Sequence, residues 1–454
     1  MKIAVVGGGV SGMMAAISAS KQNAFVTLFE KNEKLGKKMY ITGKGRCNLT
    51  NNCLPDEFLS NVVSNAKFLQ GAIHRFSPQS TLDFCAENGL QLKTERGNRV
   101  FPASDKSSDV IRTFASAVKN SATEVRLNTE VTDISPAEGG LWVSTAVDRE
   151  FFHKVVVACG GFSYRSTGSD GFGYRVAEKF SHKIVPLKPA LCKILCTGTQ
   201  SLEGLSLKNV TVSFVGEKCV EEFGEMLFTK DGVSGPAVLS LSSRINRLNG
   251  KNAKISVDLK PALDEEKLDA RLLRDFGERT NKNFINSLDA LLPQRLVEVV
   301  ATQSGIPFDR KVNSITAAQR KNLVHTLKNL TFPFVGLDDA NFAIVTAGGV
   351  DVRQINPSTM ESKLHKGLYF VGEELDVDAF TGGFNIQIAL STGSWRALPP
   401  QRKRYEGNTW GHLRPKHGRK HLGKCTLAGE QYFETQQSVR RQRFGSVFFR
   451  HGGS

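Results

Sequence analysis

Lys2-Ile-Ala-Val-Val-Gly7-Gly-Gly-Val-Ser-Gly12 is a short apolar run that breaks into glycines. Such a run fits a parallel strand buried on both faces. Met13-Met-Ala-Ala-Ile-Ser-Ala-Ser20 continues it with small, helix-compatible residues, and Phe25-Val-Thr-Leu-Phe-Glu30 is a second apolar strand. Strand, glycine turn, helix and strand make the first unit of a dinucleotide-binding βαβ fold. In Gly7-x-Gly9-x-x-Gly12 the first glycine permits the tight turn and the second lets main chain approach a pyrophosphate. The third lets helix and strand pack closely. The helix start adds free N–H groups and a partial positive charge. Seventeen residues separate Gly12 from Glu30, which places a carboxylate against the ribose hydroxyls and disfavours a ribose carrying a phosphate. A glycine-rich turn in an unrelated α/β protein is the competing reading, and strand, spacing and acid together disfavour it. The fingerprint does not separate FAD from NAD.

Outward from this unit, Ser77-Pro78 starts a helix over Gln79–Glu87. Val110, Ile111, Phe114, Ala115 and Val118 recur at helical spacing within Ser107–Lys119. Strands are expected over Glu124–Val131, Leu141–Val147 and Lys154–Ala158. The alternation in Val210-Thr-Val-Ser-Phe and Ile255-Ser-Val-Asp-Leu marks half-buried strands. A helical pattern follows, with Leu268, Leu272, Leu273 and Phe276 on one face; Thr316 and Gln319 form a capping box ahead of Leu323, Leu327 and Leu330. Gly367-Leu-Tyr-Phe-Val-Gly returns to a buried strand. The expected domains are a first dinucleotide-domain part over 1–190, a β module over 191–262, a helical module over 263–335, a closing part over 336–397 and a basic, disordered tail over 398–454.

Apolar residues make up 40% of the 454 and charged residues 23%, a globular balance. No run approaches the ~20 apolar residues of a membrane-spanning helix, and no secretory leader is evident. Eight cysteines without finger spacing or dense framework read as reduced thiols in the cytoplasm. The net charge of +16 is uneven: the tail holds twelve Lys/Arg against three Asp/Glu, a net +9, which leaves +7 for the body. Nucleic-acid contact is therefore expected only as non-specific contact by the tail. Membrane binding is not expected, and the sequence leaves the oligomeric state open.

Lys34-Leu-Gly-Lys-Lys-Met-Tyr-Ile-Thr-Gly-Lys-Gly-Arg-Cys-Asn-Leu-Thr-Asn51 is rich in glycine, cations and short polar side chains. Such a stretch can wrap a phosphate and present amides to a ring system. With Gly7–Gly12 and Glu30, this segment resembles the aminoacetone-oxidase-like or YhiN-type family of bacterial FAD-dependent flavoproteins, which includes a dehydro-bile-acid reductase. Further segments resemble that family in order: Val100–Lys106, Val157–Gly161, Thr167–Tyr174, Phe228–Pro236, Thr346–Val350 and Gly372–Gln387. The resemblance spans roughly residues 1–396. It implies an α/β, Rossmann-like FAD domain of the glutathione-reductase type, split by an inserted β-barrel-like module and a helical module.

The resemblance also implies FAD contacts. Gly7, Gly9, Val10, Ser11, Gly12, Glu30 and Lys31 would hold the ADP half, with Val131 meeting adenine. Lys37 or Lys38 would lie near the phosphates, a solvated lysine being the competing reading. Thr42, Gly43, Gly45, Arg46, Cys47 and Asn48 would line the flavin side. Ala158, Gly160 and Gly161 would let main chain approach the cofactor, and Gly372 and Glu373 would contact ribityl or pyrophosphate. Thr381, Gly382, Gly383, Phe384 and Asn385 would bring amides to the pyrimidine edge, where a reduced flavin carries negative charge. The family's short closing helix is replaced here by Trp395-Arg-Ala-Leu-Pro-Pro and the basic tail, a change of composition that a shifted reading frame or a fusion explains.

The expected activity is that of an FAD-dependent oxidoreductase acting on a small organic substrate, an amine or an unsaturated carbonyl compound. No acid–base catalyst and no metal spacing are identified. No second strand–GxGxxG–helix is present, so NAD(P)H would act as a dissociable co-substrate, with oxygen the other electron partner. Arg46, Asn48 and Asn385 are candidates for orienting substrate, loop hydrogen bonding being the competing role. Two further functions stay open: a thiol/disulfide enzyme using Cys47 and Cys53, and an FAD-containing protein that binds or modifies RNA.

Overall fold

The computed structural model describes residues 1–394; the expectations for the tail lie outside the described residues. Lys2–Val6 forms β1, Val10–Ser20 forms α1 and Phe25–Phe29 forms β2. β1 pairs in parallel with β2 on one side and with Lys154–Val157 on the other. Leu368–Phe370 and Glu124–Arg126 complete a five-stranded parallel sheet at its two edges. Ile3, Ala4, Val5, Val155, Val156 and Val157 are fully buried, as a parallel sheet covered on both faces requires. α1 packs against the helices Ser107–Asn120 and Phe384–Gly393. The register sets Val6 beside Phe29 and Val157, so Gly7, Glu30 and Ala158 emerge together at one edge of the sheet.

Ile184–Ala190 pairs antiparallel with Val345–Val350, and these two strands carry the chain out of the Rossmann-like domain and back. Between them lies a closed barrel of Ile194–Cys196, Gly232–Ser234, Cys219–Thr229, Ser206–Val215, Lys254–Asp258 and Leu330–Leu337, in that order around the ring. Three helices, Glu265–Gly277, Gln294–Ser304 and Ala317–Lys328, interrupt the barrel's path. Their apolar residues and the barrel's belong to one buried cluster, so barrel and helices share a core.

The helix expected after Ser77-Pro78 is Pro78–Glu87, with Ser77 accepting from the Ser80 amide. The Thr316–Gln319 capping box is present. Two readings change. Leu330 does not extend the helical stripe: it opens the last barrel strand, in which Leu330 and Phe332 alternate into the buried core and the backbone pairs with Lys254–Val257. Glu124–Val131 is not one strand either. Asn128 takes a left-handed turn (φ 51°), which ends the parallel strand at Arg126 and starts a separate antiparallel sheet at Val131.

Candidate cofactor cleft

A cleft runs across the strand ends of the parallel sheet, where ligands sit in open α/β folds. At its centre α1 begins on Gly9 with no side-chain cap and no acidic residue in its first turn. The amides of Val10 and Ser11 have no acceptor among the described residues. This uncapped helix start is a seat for an anion. The glycines divide the labour. A Cβ on Gly12 would lie 1.9 Å from the Gly7 carbonyl oxygen, and one on Gly7 would lie 2.4 Å from that of Ala158. Both glycines serve chain packing. Apart from its chain neighbours, a Cβ on Gly9 would come no nearer than 4.0 Å to any described residue, in the wall of the cleft that Gly9 lines. The space at Gly9 fits close approach by a ligand.

Glu30 follows β2 directly with a buried carboxylate. One oxygen accepts from the Gly8 amide (2.8 Å), the other from the Asn32 amide (2.8 Å) and side chain (2.6 Å). The two Asn32 donors fill Oε1, and Oε2 keeps capacity for a hydroxyl donor. Lys31 pairs with Asp170 at 2.6 Å, and Val131 lines the same end. Further along, Lys38 Nζ donates to Ser163 Oγ (2.7 Å) and Glu373 Oε2 (2.8 Å), while Glu373 Oε1 accepts from the Thr346 amide (2.8 Å). Lys37, Ala158, Gly160 and Gly372 lie in the wall beside them.

At the far end Thr42, Gly43 and Asn48 face Thr381, Gly382, Gly383 and Asn385 across the cleft. Asn48 ties the two loops, its amide nitrogen donating to the Thr50 carbonyl (3.2 Å) and its oxygen accepting from the Gly383 amide (3.1 Å). Asn385 holds its own turn, accepting from the Ala379 amide (3.0 Å) and donating to the Ala379 carbonyl (2.8 Å). The amides of Thr381 and Gly382 have no acceptor among the described residues and favour negative charge at that end.

Six of the expected contact residues do not line the cleft: Gly12, Gly45, Arg46, Cys47, Gly161 and Phe384. Arg46 is bound to Glu95 and Asp105 and stacks on Phe101 at 4.2 Å. Gly161 is glycine because a Cβ would lie 2.6 Å from Thr346 Oγ1, and Phe384 packs edge-on against Phe58. Cys47 is buried in the core. Burial pushes the Cys47 thiol up to about 12 and that of Cys53 up to about 11. Protonated thiols are poor nucleophiles, which weighs against a thiol/disulfide enzyme. The cleft also takes in residues outside the expected contacts: Cys159 and Phe380 within the quoted motifs, and Asn32, Leu191, Ile344 and Val345 beyond them. Leu191, Ile344 and Val345 come from the two crossings to the barrel, and no local pattern marks them.

Beneath the wall, Glu374 is fully buried. Its Oε1 accepts from the amides of Cys159 and Gly160, and its Oε2 has no partner among the described residues. Burial raises this carboxyl to about 8, so near neutral pH much of it is protonated. Among the described residues no helix is long and apolar enough to cross a membrane.

Comparison with known proteins places this geometry. A family model described as HI0933-like protein Rossmann domain matches residues 1–398. The chain is 29% identical over 399 residues to a 3-dehydro-bile acid delta(4,6)-reductase of Clostridium scindens, covering 86% of this chain and 97% of that one. It is equally 29% identical over 394 residues to a ribosomal RNA dihydrouridine synthase of Escherichia coli, covering 86% and 95%. Among solved structures, a 3-ketosteroid-delta4-(5alpha)-dehydrogenase of Rhodococcus jostii aligns with a TM-score of 0.47 at 13% identity, covering 86% of this chain and 95% of that one.

Proposed function

The chain belongs to the HI0933-like family and is an FAD-dependent oxidoreductase, and from that premise we propose that it reduces a carbon–carbon double bond conjugated to a carbonyl group. The two relatives' names describe one chemistry: a steroid ring that is reduced beside a 3-oxo group, and a uracil that becomes dihydrouracil. Reduction of a double bond conjugated to a carbonyl adds hydride at the carbon away from the carbonyl and a proton at the carbon next to it. Bound in this cleft, FAD would supply the hydride.

The chain's own residues are fitted to that task as follows. The α1 start would take the pyrophosphate, Glu30 the ribose hydroxyls, and the Lys38–Glu373 pair the middle of the cofactor. The free amides of Thr381 and Gly382 would hold negative charge at the pyrimidine edge. The observation that carries the reading is the cleft's apolar lining. Leu191, Ile344, Val345 and Phe380 line the same cleft as these amides, which suits an uncharged unsaturated ring better than an amine. NAD(P)H would deliver electrons as a dissociable co-substrate.

We take a small-molecule enone as the substrate class. Uracil within RNA is the second reading, favoured by the name of the second relative. The test is anaerobic. Purified holoenzyme is reduced with NADPH or NADH, then mixed with 4-androstene-3,17-dione or with unmodified ribosomal RNA, and return of the flavin band is followed. The proposal expects rapid reoxidation by one acceptor, with two hydrogens gained by mass spectrometry. Flavin that stays reduced with both acceptors refutes it.

A further inference from the structure

Leu191 adopts φ 52°, the left-handed region that glycine takes freely and a bulky L-residue takes at a cost. It is also buried, 2% exposed, and lines the cleft. Three hydrogen bonds hold this backbone. The Leu191 amide donates to Ser243 Oγ and the Cys192 amide to Ser242 Oγ, both at 3.0 Å. The Leu191 carbonyl accepts from the Ile344 amide at 3.4 Å. Ser242 and Ser243 are buried on Pro236–Ile245, a helix packed on the barrel. The barrel's helix thus fixes a strained residue in the wall of a cleft built by the other domain. Strain of this kind persists only where surrounding structure over-determines it, and it concentrates at ligand sites. Glycine would satisfy the backbone here, yet the side chain present fills cleft space beside Ile344 and Val345.

We infer that Leu191 is a specificity-determining residue: its side chain forms the wall against which the substrate ring lies, and Ser242 and Ser243 are the positioning residues that aim it. This rests on the reductase reading above for the identity of the ring. The size of the wall, not its charge, then decides how bulky a ring can enter.

The test uses FAD-loaded full-length wild type, Leu191→Gly and Ser243→Ala. Phenol and estradiol serve as compact and bulky aromatic probes, read by perturbation of the oxidised flavin band. Leu191→Gly relieves the strained backbone but deletes a buried side chain, so a lower Tm is expected and affinities are compared only on protein that retains FAD. Its ratio of estradiol to phenol affinity is expected to rise about tenfold, the scale of a missing side chain in an apolar pocket. Ser243→Ala is expected to move the ratio the same way by a smaller factor. An unchanged ratio in Leu191→Gly with FAD retained overturns the inference, as does the absence of any flavin perturbation by either probe in all three proteins. A shifted ratio in an enzyme that reduces no conjugated double bond would leave this wall in place and remove the reductase reading alone.

Discussion

At the scale of single residues, the three glycines of the opening turn make separable demands. Gly9→Ala places a methyl group in free space in the wall of the cleft, so the apo fold is expected to keep its Tm while FAD affinity falls tenfold or more, about 1.4 kcal/mol. Gly12→Ala drives a methyl into the Gly7 carbonyl, and the expected outcome is loss of folded protein. Equal losses of Tm in both variants would show that Gly9 serves packing too. Glu374 gives a pH prediction. Its carboxyl titrates near 8 in the fold against an ordinary 4.5, so the unfolded chain releases this proton first as pH rises. The stability it contributes is full below about 4.5 and is lost progressively as pH climbs toward about 8. Glu374→Gln keeps an acceptor for the Cys159 and Gly160 amides without a titrating proton. Its Tm is expected to fall less than the wild type's between about pH 5 and pH 8, as followed by thermal unfolding. Parallel curves would place the pH dependence elsewhere. Glu30 was legible in the sequence because a short-range strand fixes its position. Glu374 and Leu191 were not, because burial and a left-handed backbone are set by segments far away in the chain.

At the scale of elements, the parallel sheet and α1 could be read directly, since an apolar strand, a glycine turn and a small-residue helix are consecutive. The barrel's closure could not. Leu330–Leu337 joins it by pairing with Lys254–Asp258 and Ile194–Cys196, a long-range choice that overrode the helical stripe ending at Leu327. The helical segment and the barrel also share a core that no local periodicity shows. Leu327, on Ala317–Lys328, is fully buried in that joint cluster. Leu327→Ala is expected to cost about 2–5 kcal/mol. Amide exchange should then accelerate in the barrel strands Lys254–Asp258 and Leu330–Leu337 as well as in the helix. Faster exchange confined to the helix would mean the two parts are energetically separate.

At the scale of the whole molecule, the choice between an enone and a uracil in RNA turns on where the positive charge acts. The tail carries a net +9 and the body +7, and each phosphate neutralised on a single strand contributes about 0.7 to the slope of log affinity against log salt. Removing residues 398–454 is therefore expected to weaken RNA binding and flatten its salt dependence while FAD content and enone reduction persist, because the cleft is assembled within residues 1–394. Uridine reduction in ribosomal RNA provides the sharper measurement. If it survives the truncation at an unchanged rate, the body itself engages RNA and uracil becomes the substrate; if it disappears while the enone is still reduced, RNA affinity was a property of the tail's charge. The two outcomes separate because hydride delivery needs only the cleft, whereas electrostatic capture of a polyanion scales with the cations that remain.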